Sequence, residues 1–156
     1  MHALIATDGS EIAVEAAKTA GKLLAMTRIT LLTVADTILA EDSGEGGIEG
    51  NLLTPEEAEK ERAAILSEGK SELDDTIALM GLDPSIVERK LVEGSAGQMI
   101  CKEAHDLGVD VVVIGSHGKG AFKRLMIGSI SEYVLHHSPA PVLVVRLGER
   151  DSWPPS

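Results

Sequence analysis

The sequence predicts an α/β fold: a five-stranded parallel sheet, doubly wound, with helices on both faces. Three observations point there. Apolar runs at residues 3–6, 29–34, 111–114 and 142–145 are nearly continuous rather than alternating, as in strands buried on both sides. Stretches with apolar residues at helical spacing lie between them. The two kinds alternate along the chain, and right-handed crossovers wind such an alternation into a parallel sheet. The predicted strand order is 3-2-1-4-5, a Rossmann-like layout. Its ligands lie beyond the carboxyl ends of strands where the order reverses.

Each element has a local reason. The first strand, 3–6, is broken by Thr7-Asp8-Gly9-Ser10, which is turn chemistry. Residues 12–26 then place Ile12, Ala16, Ala20, Leu23 and Leu24 along one helical face. The second strand, 29–34, is rich in β-branched residues. Residues 36–53 are acidic, glycine-rich and without a basic residue, which predicts a mobile surface loop. Thr54-Pro55-Glu56-Glu57 is a helix start with a capping box, and Gly81 ends that helix after Met80. Residues 86–92 alternate apolar and charged, which predicts an edge strand with one wet side. Ser95 and Gln98 form a second capping box, for a helix through Leu107 closed by Gly108. Strand 111–114 is the most apolar and is expected at the centre of the sheet. Helix 129–137, with Ser129 as N-cap paired to Glu132, leads through Ser138-Pro139-Ala140-Pro141 to the last strand. Residues 1–146 form one expected domain. The tail, 147–156, is charged and proline-ended, and is expected to be loose or held only by Trp153.

Composition narrows the function classes. With 25 acids against 14 Lys and Arg, the net charge is -11, which repels nucleic acid and anionic membrane surfaces. Aromatics make up 2% of the chain, too few for a base-stacking platform. The one cysteine, Cys101, sits in a helical apolar pattern as a core residue, and no intrachain disulfide is possible. No apolar run approaches the roughly 18 residues needed to span a bilayer. A cytoplasmic protein is expected.

One stretch, 109–130, carries the chemistry. The apolar strand stops at Gly115, and Gly118, Gly120 and then Gly128-Ser129 follow before the next helix. No acid lies between Val111 and Ser131, whereas His117, Lys119, Lys123 and Arg124 do. Glycines let a backbone approach a phosphate closely, and a helix N-terminus adds free amides and partial positive charge. The plainer alternative is that Gly115 and Gly118 only make a tight turn. Neither a P-loop nor a G-x-G-x-x-G fingerprint is present.

Gly115-x-x-Gly118, nine residues, then Gly128-Ser129 resembles the G-2x-G-9x-G-[S/T] nucleotide motif of the universal stress protein (UspA-like) family. The surrounding text, GSHGKGAFKRLMIGSISEYVLHHSPAPVLVV, is similar to that family throughout, as is Ala6-Thr7-Asp8-Gly9-Ser10 after the first strand. The resemblance covers the chain up to Arg146. It implies an adenine-nucleotide alpha-hydrolase-like fold and ATP binding rather than a defined reaction. By position it implies that Gly115, Gly118, Gly128, Ser129 and the amide of Ile130 cradle the phosphates, with His117 beside them. Ala6, Thr7 and Gly115 would lie by the ribose, and Asp8 on the adenine side with Val34 beside the ring. Ile114, ending the fourth strand, completes the set. Position 117 is often arginine in relatives. With His here, ATP affinity is expected to fall as pH rises through the His117 titration. Bound ATP carries Mg2+ mostly on its phosphates, and no separate protein metal site is expected.

Other constellations carry less. Asp8, His117 and Ser129 lack any spacing that argues for a hydrolytic triad. His105, His136 and His137 are read as surface histidines, because adjacent helical residues point apart. Strand 142–145 is a different matter: as an unprotected edge it invites pairing, and a homodimer through Val142, Leu143, Val144 and Val145 is expected. Members of the resembled family commonly dimerise there. The function expected is an ATP-binding regulatory module of the stress response acting on an unidentified protein partner. The alternative is a slow ATPase or phosphotransferase using the same site, for which no general base is evident.

Overall fold

The computed structural model describes residues 1–37, 53–119 and 127–147. Most of the acidic loop and of the C-terminal tail, with Trp153, Lys123 and Arg124, lies outside the described residues. The elements are β1 (His2–Ala6), α1 (Glu11–Leu23), β2 (Arg28–Ala35), α2 (Pro55–Met80), a 3-10 turn (Pro84–Ile86), β3 (Val87–Glu93), α3 (Ala96–Leu107), β4 (Val111–Gly115), α4 (Ser129–His137) and β5 (Val142–Val145). All five strands are parallel, in the order β3-β2-β1-β4-β5, as expected. The centre is β1, not the more apolar β4. Both strands are buried on two faces, so apolarity reports burial and not position in the sheet.

Register explains the two cores. Ala3 pairs with Ile29 and Val111, and Ile5 with Leu31 and Val113. Alternation sends these side chains to one face, where they meet Ala16, Ala17 and Ala20 of α1 and Leu73 and Met80 of α2. The intervening residues Leu4, Leu32, Val112 and Ile114 meet Ile100 and Ala104 of α3 and Val134 of α4 on the other face. Each such Leu, Ile or Val contributes about 1.5–3 kcal/mol by leaving water. The alanine face of α1 lets that helix lie close to the sheet. At the β3 edge, Arg89 pairs outward with Asp74 of α2 (3.2 Å), whereas Lys90 pairs with Glu103 of α3, whose side chain is only 7% exposed. A charge that deep needs its partner.

Helix ends agree with expectation in part. Thr54 and Glu57 form the capping box, Pro55 opens α2, and Gly81 closes it at a φ of 67°. Ser10 caps α1, accepting from the Ala13 N–H. That helix stops at Leu23 rather than Met26, because Leu24 turns extended while its N–H still bonds Ala20 O. The expected box at Ser95 does not form: Ser95 makes no side-chain cap bond. Entry to α3 is set by Gly94, whose φ is 141° and whose N–H donates to Ala35 O at the end of β2 (3.0 Å). The N-cap of α4 is Gly128, not Ser129. The Gly128 N–H donates to Ser116 O (2.6 Å), which holds Gly128 extended against the end of β4 and makes Ser129 the first helical residue.

After β1 the chain crosses to the α1 side, and after β4 it leads to α4 on the other side. The strand ends therefore diverge at Ala6-Thr7-Asp8 and Gly115-Ser116.

Candidate functional site

A cavity of about 220 Å³ opens where β1 and β4 diverge. Of the positions expected from sequence, Ala6, Thr7, Asp8, Val34, Ile114, Gly115, His117, Gly118 and Ile130 line it. Gly128 and Ser129 do not. Gly128 backs onto His117, where an added Cβ would lie 3.3 Å from the His117 Cα, and Ser129 is exposed on the first turn of α4. Leu32, Ala13, Asp36, Ala96, Ile100 and Ser131 also line the cavity, and sequence reasoning missed them. Ala96 and Ile100 come from a helix with no motif. Ser131 is buried and donates its Oγ–H to Gly115 O (2.7 Å), tying α4 to the end of β4. Its position two residues after Ser129 was the only available signal.

The polar rim is tightly wired. The Thr7 N–H donates to Leu32 O (2.9 Å), Thr7 O accepts from Thr33 Oγ1 (3.0 Å), and Thr7 Oγ1 stands 2.7 Å from Thr76 Oγ1 of α2. Asp8 accepts from the Ser10 N–H through Oδ1 (3.0 Å) and from the Lys119 N–H through Oδ2 (2.8 Å). Its carboxylate is thus turned to the glycine loop. His117 Nδ1 is 3.0 Å from Ser116 Oγ.

Space is tight at both glycines. A Cβ on Gly115 would sit 2.8 Å from Ile12 Cγ1, and one on Gly118 2.8 Å from Asp8 Oδ2. Neither has a positive φ; of the site's neighbours Gly9 does, at 74°, packed on Glu72. Lys119 directs its ammonium away from the cavity, 2.6 Å from Glu72 Oε1 and 3.3 Å from Glu68 Oε1 on α2. Burial pushes the Glu72 carboxyl up, with Lys119 opposing, and the bond to Glu72 holds the Lys119 ammonium above its ordinary value.

Chemically, the cavity offers an apolar slot (Leu32, Val34, Ala96, Ile100) beside a glycine-lined polar mouth. That suits a flat apolar group bearing a polar tail. The oxygens of Asp8 are taken by backbone N–H groups, so they do not orient His117 as a triad would. Among the described residues no group of three or more His, Cys, Asp or Glu is arranged to hold a metal. His137 instead stacks on Tyr133, with centroids 4.0 Å apart. A wider depression of about 310 Å³ lies between α2 and β3, bordered by Lys70, Asp74 and Arg89. Its Arg89 is already paired with Asp74, and it receives no strand end. No described helix is long and apolar enough to cross a membrane.

Comparison with known proteins adds a relationship. A family model described as the universal stress protein family matches residues 1–146. The universal stress protein MJ0577 of Methanocaldococcus jannaschii is 45% identical over 56 residues, 36% of this chain and 35% of that protein. Matches to the curated relatives span 35–39% of their own length. The solved structure of hypothetical protein MJ0577 is similar over 95% of this chain and 96% of that one, with a TM-score of 0.74 and 28% identity. The fold is shared with a universal stress protein family protein from Arabidopsis thaliana, At3g01520, with AMP bound (TM-score 0.63, 17% identity, 99% and 97% covered). It is shared too with a universal stress protein in complex with cAMP (TM-score 0.55, 21% identity, 95% and 98% covered).

Proposed function

Because the chain belongs to the universal stress protein family, matched across residues 1–146, we propose that the cavity between β1 and β4 binds ATP and that the protein is a nucleotide-dependent regulatory module rather than an enzyme. One observation carries the reading. Residues from three separate stretches, the ends of β1, β2 and β4, converge on one cavity with an apolar slot and a glycine-lined mouth. The adenine lies in the slot by Val34, held by aliphatic groups, with Asp8 toward the nucleoside. The ribose lies by Ala6, Thr7 and Gly115. The phosphates run over Gly115 and Gly118 toward Gly128, Ser129 and the Ile130 amide, with His117 beside them and Mg2+ on the phosphates.

Two facts support this placement. No side chain caps α4, so its first-turn amides are left for an anion. AMP and cAMP, bound by the two relatives of shared fold, are of the same ligand class. A cytoplasmic homodimer passing its nucleotide state to a protein partner completes the proposal.

The test is direct binding. Purified protein is expected to carry or take up ATP, measured by chromatography of the released nucleotide and by titration calorimetry with Mg-ATP. Gly118→Ala, which drives a Cβ against Asp8 Oδ2, should weaken ATP by about tenfold or more, a loss of roughly 1.4 kcal/mol. Wild-type protein that takes up no ATP overturns the proposal, and steady release of phosphate or ADP assigns the site to an enzyme.

A further inference from the structure

Among the described residues, the cavity lining contains two carboxylates, Asp8 and Asp36, and neither lysine nor arginine. This is an odd environment for a phosphate chain. A full cation does stand beside the loop: Lys119 directly follows Gly118, and its backbone N–H is pinned by Asp8. Its side chain, however, is committed elsewhere. The ammonium is held by Glu72 (2.6 Å) and Glu68 (3.3 Å), which lie one turn apart on the same face of α2. Those carboxylates are themselves anchored. Glu72 packs its Cγ on Gly9, and its carbonyl accepts from Thr76 Oγ1, which in turn meets Thr7 at the cavity rim. None of Glu68, Glu72 and Lys119 lines the cavity.

We propose that Glu68 and Glu72 determine phosphate-chain-length specificity: by clasping Lys119 against α2 they hold that cation off the ligand, and so limit the site's preference for a triphosphate over a monophosphate. This rests on the reading that the cavity binds an adenine nucleotide. The physical argument is Coulombic. Removing the two carboxylates removes repulsion and frees a cation, and both gains grow with the charge of the ligand. Adenosine gains nothing, AMP little, ATP most. The converse holds too: a long phosphate chain competes with α2 for Lys119, so binding it loosens the contact between the glycine loop and α2.

The experiment titrates adenosine, AMP and Mg-ATP into wild-type protein, the Glu68→Gln/Glu72→Gln double variant and Lys119→Gln. Glutamine keeps the packing on Gly9. The double variant should bind ATP about fivefold tighter at low salt, with adenosine unchanged, and the gain should shrink by 0.5 M salt. Lys119→Gln should lower the ratio of ATP to adenosine affinity, and the single variant Glu68→Gln, at an exposed side chain, should raise it, which decides the matter if the double variant does not fold. Unchanged ATP affinity in the double variant, equal gains for ATP and adenosine, or an unchanged ratio in Lys119→Gln each overturns the clasp while leaving nucleotide binding intact. Wild-type protein that binds none of the three ligands overturns the nucleotide reading and the clasp with it.

Discussion

Glu72 shows how one residue answers to two demands. Its ammonium partner favours the carboxylate, but burial outweighs it and raises the carboxyl above the usual carboxylate range. A raised acid helps the folded state while protonated. That help is complete below the unfolded-state value and is lost as pH rises through the folded one. Glu72→Gln is therefore expected to melt at or above the wild-type temperature at pH 7. The difference should close toward about pH 4, where the wild-type carboxyl is protonated too. Thermal melts across that range check it. A variant less stable than wild type at pH 7 but equal at pH 4 would show that the Lys119 pair outweighs burial. At this scale the site was legible where the residue type is itself the signal. Gly115 and Gly118 stand out by spacing, and Thr7-Asp8 by breaking a strand. The reason for Gly118 was not legible, since it lies in Asp8, far away in sequence. Nor were Ala96 and Ile100, ordinary apolar helix residues that only the α3 packing brings to the slot.

Among the elements, α2 has the start most fully written in its sequence. The Thr54 N–H donates to Glu57 Oε2 (2.7 Å), and the Glu57 N–H donates to Thr54 Oγ1 (3.3 Å). The Thr54 backbone N–H, and after it the Thr54 hydroxyl, holds the Glu57 carboxyl below its ordinary value. A lowered acid supports the folded state above its unfolded value, and the support is lost as pH falls through the lowered one. Thr54→Ala is expected to cost about 0.5–1 kcal/mol, read as a lower denaturant midpoint and faster hydrogen exchange in the first turn of α2. Unchanged exchange there would mean that the helix end is set by its packing instead. Ser95 and Ser129 looked equally good as caps, but Ser95 stands at the N-cap without a side-chain cap bond and Ser129 is already helical. Their chain directions are fixed from outside the helix, by Gly94 bonding Ala35 O and Gly128 bonding Ser116 O. Capping boxes are local and legible, whereas tertiary hydrogen bonds that re-aim a helix entry leave no local trace. The parallel, doubly wound sheet was legible because the alternation of β and α admits few windings, whereas its strand order came with the family resemblance, since alternation alone also allows other doubly wound orders.

At the scale of the whole molecule, the sheet has two unlike edges. β3 is guarded by charges, with Glu88 bonded to Arg28 and Arg89 to Asp74. β5 carries only Val142, Leu143, Val144 and Val145, the first three half-buried, and Leu135 of the neighbouring α4 is 43% exposed. An apolar edge of this kind pairs with another strand unless something covers it. The proposed homodimer joins two copies of β5 about a two-fold axis. The ladder says where to cut it. Pro141 O and Val145 O accept from β4, at the Val112 and Ser116 N–H groups. Residues 141, 143 and 145 therefore face inward, and the N–H groups of Val142 and Val144 face out. Val144→Pro removes an outward donor and no inward one, which an edge strand tolerates. Light scattering after size exclusion is expected to find wild-type dimers and Val144→Pro monomers of unchanged circular dichroism. Wild-type protein that stays monomeric at tens of micromolar would overturn the dimer, and a dimer indifferent to the proline would place its interface elsewhere. Because β5 flanks β4, whose end forms the cavity, a dimer so built sets two cavities on one continuous sheet.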